Sequence, residues 1–149
     1  MTKEVFVTLK GLQVHEQVEP NMVEMMALGE YYEKNGKKYI IYEEAVEGFD
    51  AKIKNIIKVS PDTLEVTKRG NTNTHMIFQV DKKNITYYRT PFGEFQIGIF
   101  GKKINIQESD GEMDITVEYE LEMNYEFVAN CNIQLNVKSK GEGIFSLRD

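Results

Sequence analysis

Ile115-Thr116-Val117-Glu118-Tyr119-Glu120-Leu121-Glu122-Met123 alternates an apolar with a polar side chain at every step. Alternation of period two is the signature of a β-strand, because successive side chains point to opposite faces; here one face is apolar and the other acidic. After Asn124-Tyr125-Glu126 the pattern resumes, with Phe127, Ala129, Cys131, Ile133, Leu135 and Val137 set against Asn130, Asn132, Gln134 and Asn136. The two runs read as the arms of one hairpin, each with a single buried side. A slip of one residue would turn every apolar side chain to water, so the register is strongly specified. Tyr119, Leu121, Cys131, Ile133 and Leu135 are assigned to the interior, and Glu118, Glu120, Glu122, Asn132 and Gln134 to solvent.

Turn chemistry cuts the remaining sequence into strands of the same kind. Asn35-Gly36 and Asp110-Gly111 are two-residue hairpin signals, while Ser60-Pro61-Asp62 and Thr90-Pro91-Phe92-Gly93 are proline turns. The pattern predicts ten strands, near residues 3–17, 22–34, 37–47, 51–60, 63–69, 74–81, 84–90, 94–107, 112–123 and 127–138. In the first strand the apolar phase of Val5, Val7 and Leu9 shifts across Gly11 to Leu12 and Val14, the mark of a bulge or bend. Gly29 and Gly101 are expected to bend strands two and eight in the same way. No segment sustains helical spacing. Such strands with short connections form a meander, and an even count lets the last pair antiparallel with the first. The expected fold is a single all-β domain, a closed up-and-down antiparallel barrel; a two-sheet sandwich is the alternative.

A chain of 149 residues with 41 % hydrophobic and 28 % charged residues has the composition of one globular domain. Its apolar runs fall well short of the roughly 20 residues of a membrane helix. The N-terminal stretch alternates from the start and shows no signal-peptide core, so the cytoplasm is the expected address. Cys131 is the one cysteine; it falls in phase with the core and reads as a small hydrophobe rather than a nucleophile. Acidic residues outnumber basic ones 24 to 18, a net charge of −6, which speaks against nucleic acid as a partner. The pairs Lys37-Lys38, Lys82-Lys83 and Lys102-Lys103 stand beside turns and read as solvated strand ends.

No motif names a reaction. His15 and His75 belong to no spaced ligand set, Glu43 and Glu44 point to opposite faces of one strand, and the glycines between 93 and 101 lack the lysine placement and helix of a phosphate loop. The serines stand outside a nucleophile-elbow frame. An enzyme therefore ranks third among the readings, and no metal or cofactor is expected. Some residues remain as candidates for an interior site. Glu44 shares a face with Ile40 and Tyr42, which would set a carboxylate among tyrosine hydroxyls, although solvent exposure is its plainer reading. Arg89 shares phase with Ile85 and Tyr87, the ground for expecting it inward near a rim, whereas Arg69 is out of phase with Leu64 and Val66. Of the eight tyrosines, Tyr42, Tyr88 and Tyr119 are the expected interior ones.

Successive turns of a meander alternate between its ends. One end collects Asn35-Gly36, Ser60-Pro61-Asp62, the turn at 81–84 and Asp110-Gly111, all tight and polar. The other collects the turns around Pro20, Phe49, Asn71, Phe92 and Tyr125, and with them three loop aromatics. The leading expectation is a portal at this aromatic end for a small amphipathic ligand, bound by Tyr42, Glu44, Phe49, Tyr88, Arg89, Phe92 and Tyr119. Its rival is a solid-core protein-interaction or structural module with no small-molecule ligand, its aromatic rings capping the core.

Segment 29–44 with its Asn-Gly hairpin, Arg69-Gly70, Tyr88-Arg89-Thr90-Pro91-Phe92-Gly93, and Tyr119-Glu120-Leu121 with the strand after it can be taken together. They resemble the bacterial YwiB-like family over nearly the whole chain. The most specific piece is the Thr-Pro-Phe-Gly turn between two strands, after an Asn-Gly hairpin. The resemblance implies a small cytoplasmic calycin-like barrel, similar in architecture to lipocalins, and implies no activity.

Overall fold

The computed structural model describes residues 3–11, 24–45, 52–70, 73–90 and 92–140, with the backbone alone at 24, 45 and 88–90. Among the described residues there is no helix. The strands are β1 (Glu4–Lys10), β2 (Glu24–Lys34), β3 (Lys37–Ala45), β4 (Lys52–Ser60), β5 (Thr63–Arg69), β6 (Thr74–Gln79), β7 (Lys83–Thr90), β8 (Gly93–Ser109), β9 (Glu112–Met123) and β10 (Glu126–Ser139). They form one ten-stranded sheet in the order β6-β5-β4-β3-β2-β1-β10-β9-β8-β7. Its ladders are antiparallel, and β1 lies beside β10 with Val5 opposite Ser139 and Leu9 opposite Leu135. First and last strands therefore meet as an even-stranded meander requires.

The barrel is nearly closed rather than fully closed, and its seam lies where the sequence gives no warning. β6 and β7 follow each other along the chain, yet no ladder joins them, and they form the two edges of the sheet. A lone parallel bridge between Val80 and Gly101 spans the gap. Asp81 N–H donates to the Gly101 carbonyl at 2.8 Å, and Gly101 N–H to that of Lys82 at 3.3 Å. Only glycine permits this approach, since a Cβ at position 101 would overlap the Gln79 carbonyl oxygen. The pairing of β8 with β9 shifts register between Gly101 and Lys103, so the expected bend there is a bulge. Beside the bare glycine, Phe78 and Tyr119 meet edge to face with ring centroids 4.9 Å apart. Gly29 marks a second corner. There β2 passes from pairing with β1 to pairing with β3, and a Cβ would stand 2.7 Å from the Ile41 carbonyl oxygen. β1 itself ends at Lys10, with Gly11 at φ +89°; its expected continuation to residue 17 lies outside the described residues.

The inward assignments hold. Tyr119, Leu121, Cys131, Ile133 and Leu135 are all buried, in one core with Ile40, Ile57, Leu64, Phe78 and Ile97. Glu118, Asn132 and Gln134 are exposed. Glu120 and Glu122 are half-buried on the outer face, where they meet Lys102 at 2.9 Å and Lys83 at 2.8 Å.

Candidate functional site

Period two carries polar residues into this barrel as firmly as apolar ones. In β4, Ile53, Asn55, Ile57 and Val59 share one phase and Lys52, Lys54 and Lys58 the other; in β5, Lys68 follows Leu64 and Val66. Register then aligns Tyr42, Asn55, Lys68 and Thr74 in one row across β3 to β6, with Glu44 one step nearer the aromatic end. Asn55 is 0 % exposed, Tyr42 2 % and Thr74 7 %.

Asn55 Nδ2 donates to Glu44 Oε1 at 2.7 Å, and Lys68 Nζ donates to the same oxygen at 3.2 Å. The Tyr42 hydroxyl and Asn55 Oδ1 are buried with no hydrogen-bond partner among the described residues. Each such atom costs about 1–3 kcal/mol relative to a satisfied one. Burial, and after it the Glu44 carboxylate, push the Tyr42 phenol well above its ordinary range, so at neutral pH it remains a hydroxyl able to donate. A free donor and a free acceptor beside a paired ammonium and carboxylate make a set suited to recognising a polar head group.

The opposite end has two inward polar pairs, although Asn84 Nδ2, beside the turn at 81–84, is buried without a partner among the described residues. The Tyr31 hydroxyl donates to Glu33 Oε1 at 2.9 Å, and Lys38 Nζ meets Glu108 Oε1 at 3.1 Å. Lys38 stands on β3 and Glu108 on β8, strands that are not neighbours in the sheet, so this ion pair crosses the barrel end. Lys38 is thus not the solvated strand end expected from its place beside a turn: its phase with Ile40 turns it inward, where Glu108 neutralises it. A cleft of about 370 Å³ opens beside the pair between Val59, Pro61 and Ile106.

Of the residues expected at a ligand site, Tyr42 and Glu44 fall within the polar row. Tyr119 is buried beside Phe78 at the seam; burial pushes the Cys131 thiol above its ordinary range, an effect that the nearby Tyr119 hydroxyl opposes. Phe92 is 93 % exposed, so it does not cap the core. Ile85 and Tyr87, the ground for turning Arg89 inward, are themselves exposed, and that ground falls. The side chains of Tyr88 and Arg89, and the whole of Phe49 and His15, lie outside the described residues. Arg69 is exposed, as its phase predicts, and His75 is exposed at 3.0 Å from Glu65. Asn55, Lys68 and Thr74 escape a reading that looks for motifs. Their signal is a polar residue standing in an apolar phase.

Tyr125 is 79 % exposed and sits with Asn124 in the two-residue loop between Met123 and Glu126, at φ +72° and +49° respectively. That left-handed pair suits Asn-Gly; for a residue with a Cβ it costs about 1–2 kcal/mol. Tyr125→Gly is therefore expected to raise stability by about 1 kcal/mol in urea denaturation. A lower midpoint would show that the ring holds the loop through contacts worth more than the strain.

Residues 7–135 match the family described as Domain of unknown function (DUF1934). The uncharacterized beta-barrel protein YwiB of Bacillus subtilis (strain 168) is 28 % identical over 114 residues, spanning 75 % of this chain and 79 % of that protein. The crystal structure of ywiB protein from Bacillus subtilis superposes with a TM-score of 0.71 at 22 % identity, over 92 % of each chain, and shows the same fold. The match runs from β1 into β10 and the barrel is shared, so this chain belongs to the DUF1934 family.

Proposed function

We propose that the barrel binds a small amphipathic molecule at its aromatic end and holds the polar head of that molecule against Tyr42, Asn55, Glu44 and Lys68. The supporting observation is a pair of buried atoms without a partner among the described residues, Tyr42 hydroxyl and Asn55 Oδ1, beside the Glu44–Lys68 ion pair. A barrel keeps such atoms at a cost, and a ligand offering one acceptor and one donor removes it. The apolar part of the ligand stays near the mouth with the exposed Phe92 and Tyr125, because the middle of the barrel is filled where Phe78 meets Tyr119. This is a calycin-like use of the fold with a shallower site. The filled middle also favours the second reading, a solid-core interaction or structural module.

Native mass spectrometry of protein purified from its own host separates the two. A retained molecule of one mass is expected on the wild type and not on Tyr42→Phe or Asn55→Leu. Tyr42→Phe removes an unpaired hydroxyl and nothing else, so it is expected to hold or raise stability, by up to about 1 kcal/mol. A bare wild type, or equal occupancy in all three proteins, overturns the ligand reading.

A further inference from the structure

The polar row carries a charge balance as well as two unsatisfied atoms. On the inward phase of β3 to β6 the charged side chains are Glu44 and Lys68 toward the aromatic end and Lys38 toward the other, where Glu108 neutralises it. Glu44 and Lys68 are half-buried and meet at 3.2 Å, so their charges cancel within the row. Tyr42 and Asn55 stand directly opposite each other across β3 and β4 and are buried more deeply than the ion pair. Opposite residues have Cβ atoms about 4.5–5.5 Å apart, near enough for one small group to meet both side chains. A group that reaches them has left water.

A carboxylate, an ammonium and an uncharged head meet this set differently. A carboxylate would accept from the Tyr42 hydroxyl and from Lys68, but it brings no donor to Asn55 Oδ1 and sets a second negative charge beside Glu44. An ammonium would donate to Asn55 Oδ1 and to Glu44, but it leaves the Tyr42 O–H without an acceptor and competes with Lys68 for one carboxylate. Either one adds a net charge to a buried site whose own charges already cancel, with no counter-charge to offset its lost hydration. An uncharged head with an acceptor and a donor on the same or adjacent atoms satisfies both orphaned atoms and leaves the ion pair intact. The Tyr42 phenol, pushed well above its ordinary range by burial and then by Glu44, keeps its proton for that acceptor throughout the neutral range.

We propose, resting on the ligand reading given under the proposed function, that the head group held by this row is uncharged at neutral pH: a primary amide or an alcohol, and neither a free acid nor an amine. The balance of Glu44 against Lys68 sets this preference, so a change of one charge in the row inverts it.

Calorimetric titration of the full chain at pH 7 tests it with octanamide, octan-1-ol, octanoate and octylammonium, which share a tail and differ in the head. The tighter of the two uncharged compounds is expected to bind the wild type at least about tenfold more tightly than either ion. Glu44→Gln keeps an amide oxygen for Asn55 and Lys68 but leaves the row with a net positive charge, and it should move the preference at least about tenfold toward octanoate. Lys68→Met leaves Glu44 unmatched and should move it as far toward octylammonium. Thermal melts confirm that both variants are folded, and opposite shifts from two neighbouring changes cannot come from a general loss of stability. A wild type that prefers octanoate or octylammonium overturns the assignment of an uncharged head while the ligand site stands. So does a wild type that binds none of the four although native mass spectrometry finds a retained molecule; if the protein is bare there too, the ligand reading falls with it. Variants that leave the wild-type order unchanged overturn the role of the Glu44–Lys68 balance.

Discussion

Gly101→Ala is expected to open the barrel along its seam, at a cost of about 3 kcal/mol or more. The added methyl group would overlap the Gln79 carbonyl oxygen, and because that neighbour is backbone no rotamer change relieves the contact. β8 cannot retreat freely either, since Gly101 is held opposite Tyr119 by the ladder to β9. If the two strands part, the hydrogen bonds from Asp81 and to Lys82 are lost, together with the edge contact of Phe78 on Tyr119. Overpacking alone costs about 1–3 kcal/mol. Each lost hydrogen bond adds about 1 kcal/mol and the aromatic pair about 0.5–1.5. Against a total stability of about 5–15 kcal/mol this leaves a marginal fold. Urea denaturation measures it; a loss below about 1 kcal/mol would mean that the seam is held by something other than the Gly101 approach.

Leu121→Ala is the second large effect, expected at about 2–5 kcal/mol in the same measurement. Leu121 is 1 % exposed and stands opposite Ile99 on β8 and Ala129 on β10. Ile133→Ala, at 0 % exposed, should behave alike, whereas Glu118→Ala on the solvated face of the same strand as Leu121 should stay within about 0.5 kcal/mol. A small loss for Leu121→Ala together with a large one for Glu118→Ala would reverse the faces of β9.

Strand number, turn positions and the inward face of β9 and β10 were legible because each rests on local chemistry. Asn35-Gly36 takes φ +54° and +77°, a two-residue turn that few other sequences adopt, and period two decides the faces on either side. The seam was not legible, because β6 and β7 are joined by a short turn of the kind that normally makes a hairpin. What separates them is the backbone contact of Gly101 with Gln79, and residues so distant in sequence give no local sign of each other. The polar row was half legible. Tyr42 and Glu44 share a phase that could be read directly, but Lys68 and Asn55 sit among lysines and asparagines that elsewhere face water, and only the ladder from β3 to β6 shows that all four line one wall. Lys38 misled for the same reason: its partner Glu108 is on a strand met only across the end of the barrel.

The order of strands around the sheet also imposes an order in time. β1 to β6 can form as one meander from pairings between sequence neighbours, and β7 to β10 as another. The ladder between β1 and β10, with Val5 opposite Ser139, joins these halves and is the one ladder that cannot begin until nearly all of the described chain exists. Contacts so remote along the chain make for slow folding, because the entropy of closing the loop is lost before any pairing repays it. A ribosome that has released β1 must therefore extrude some hundred residues more, at about 5–20 residues per second, while that strand waits with one edge unpaired. Once β10 arrives, the edge of β1 is hidden; until then it can pair with any neighbouring chain, and aggregation competes with folding for that interval.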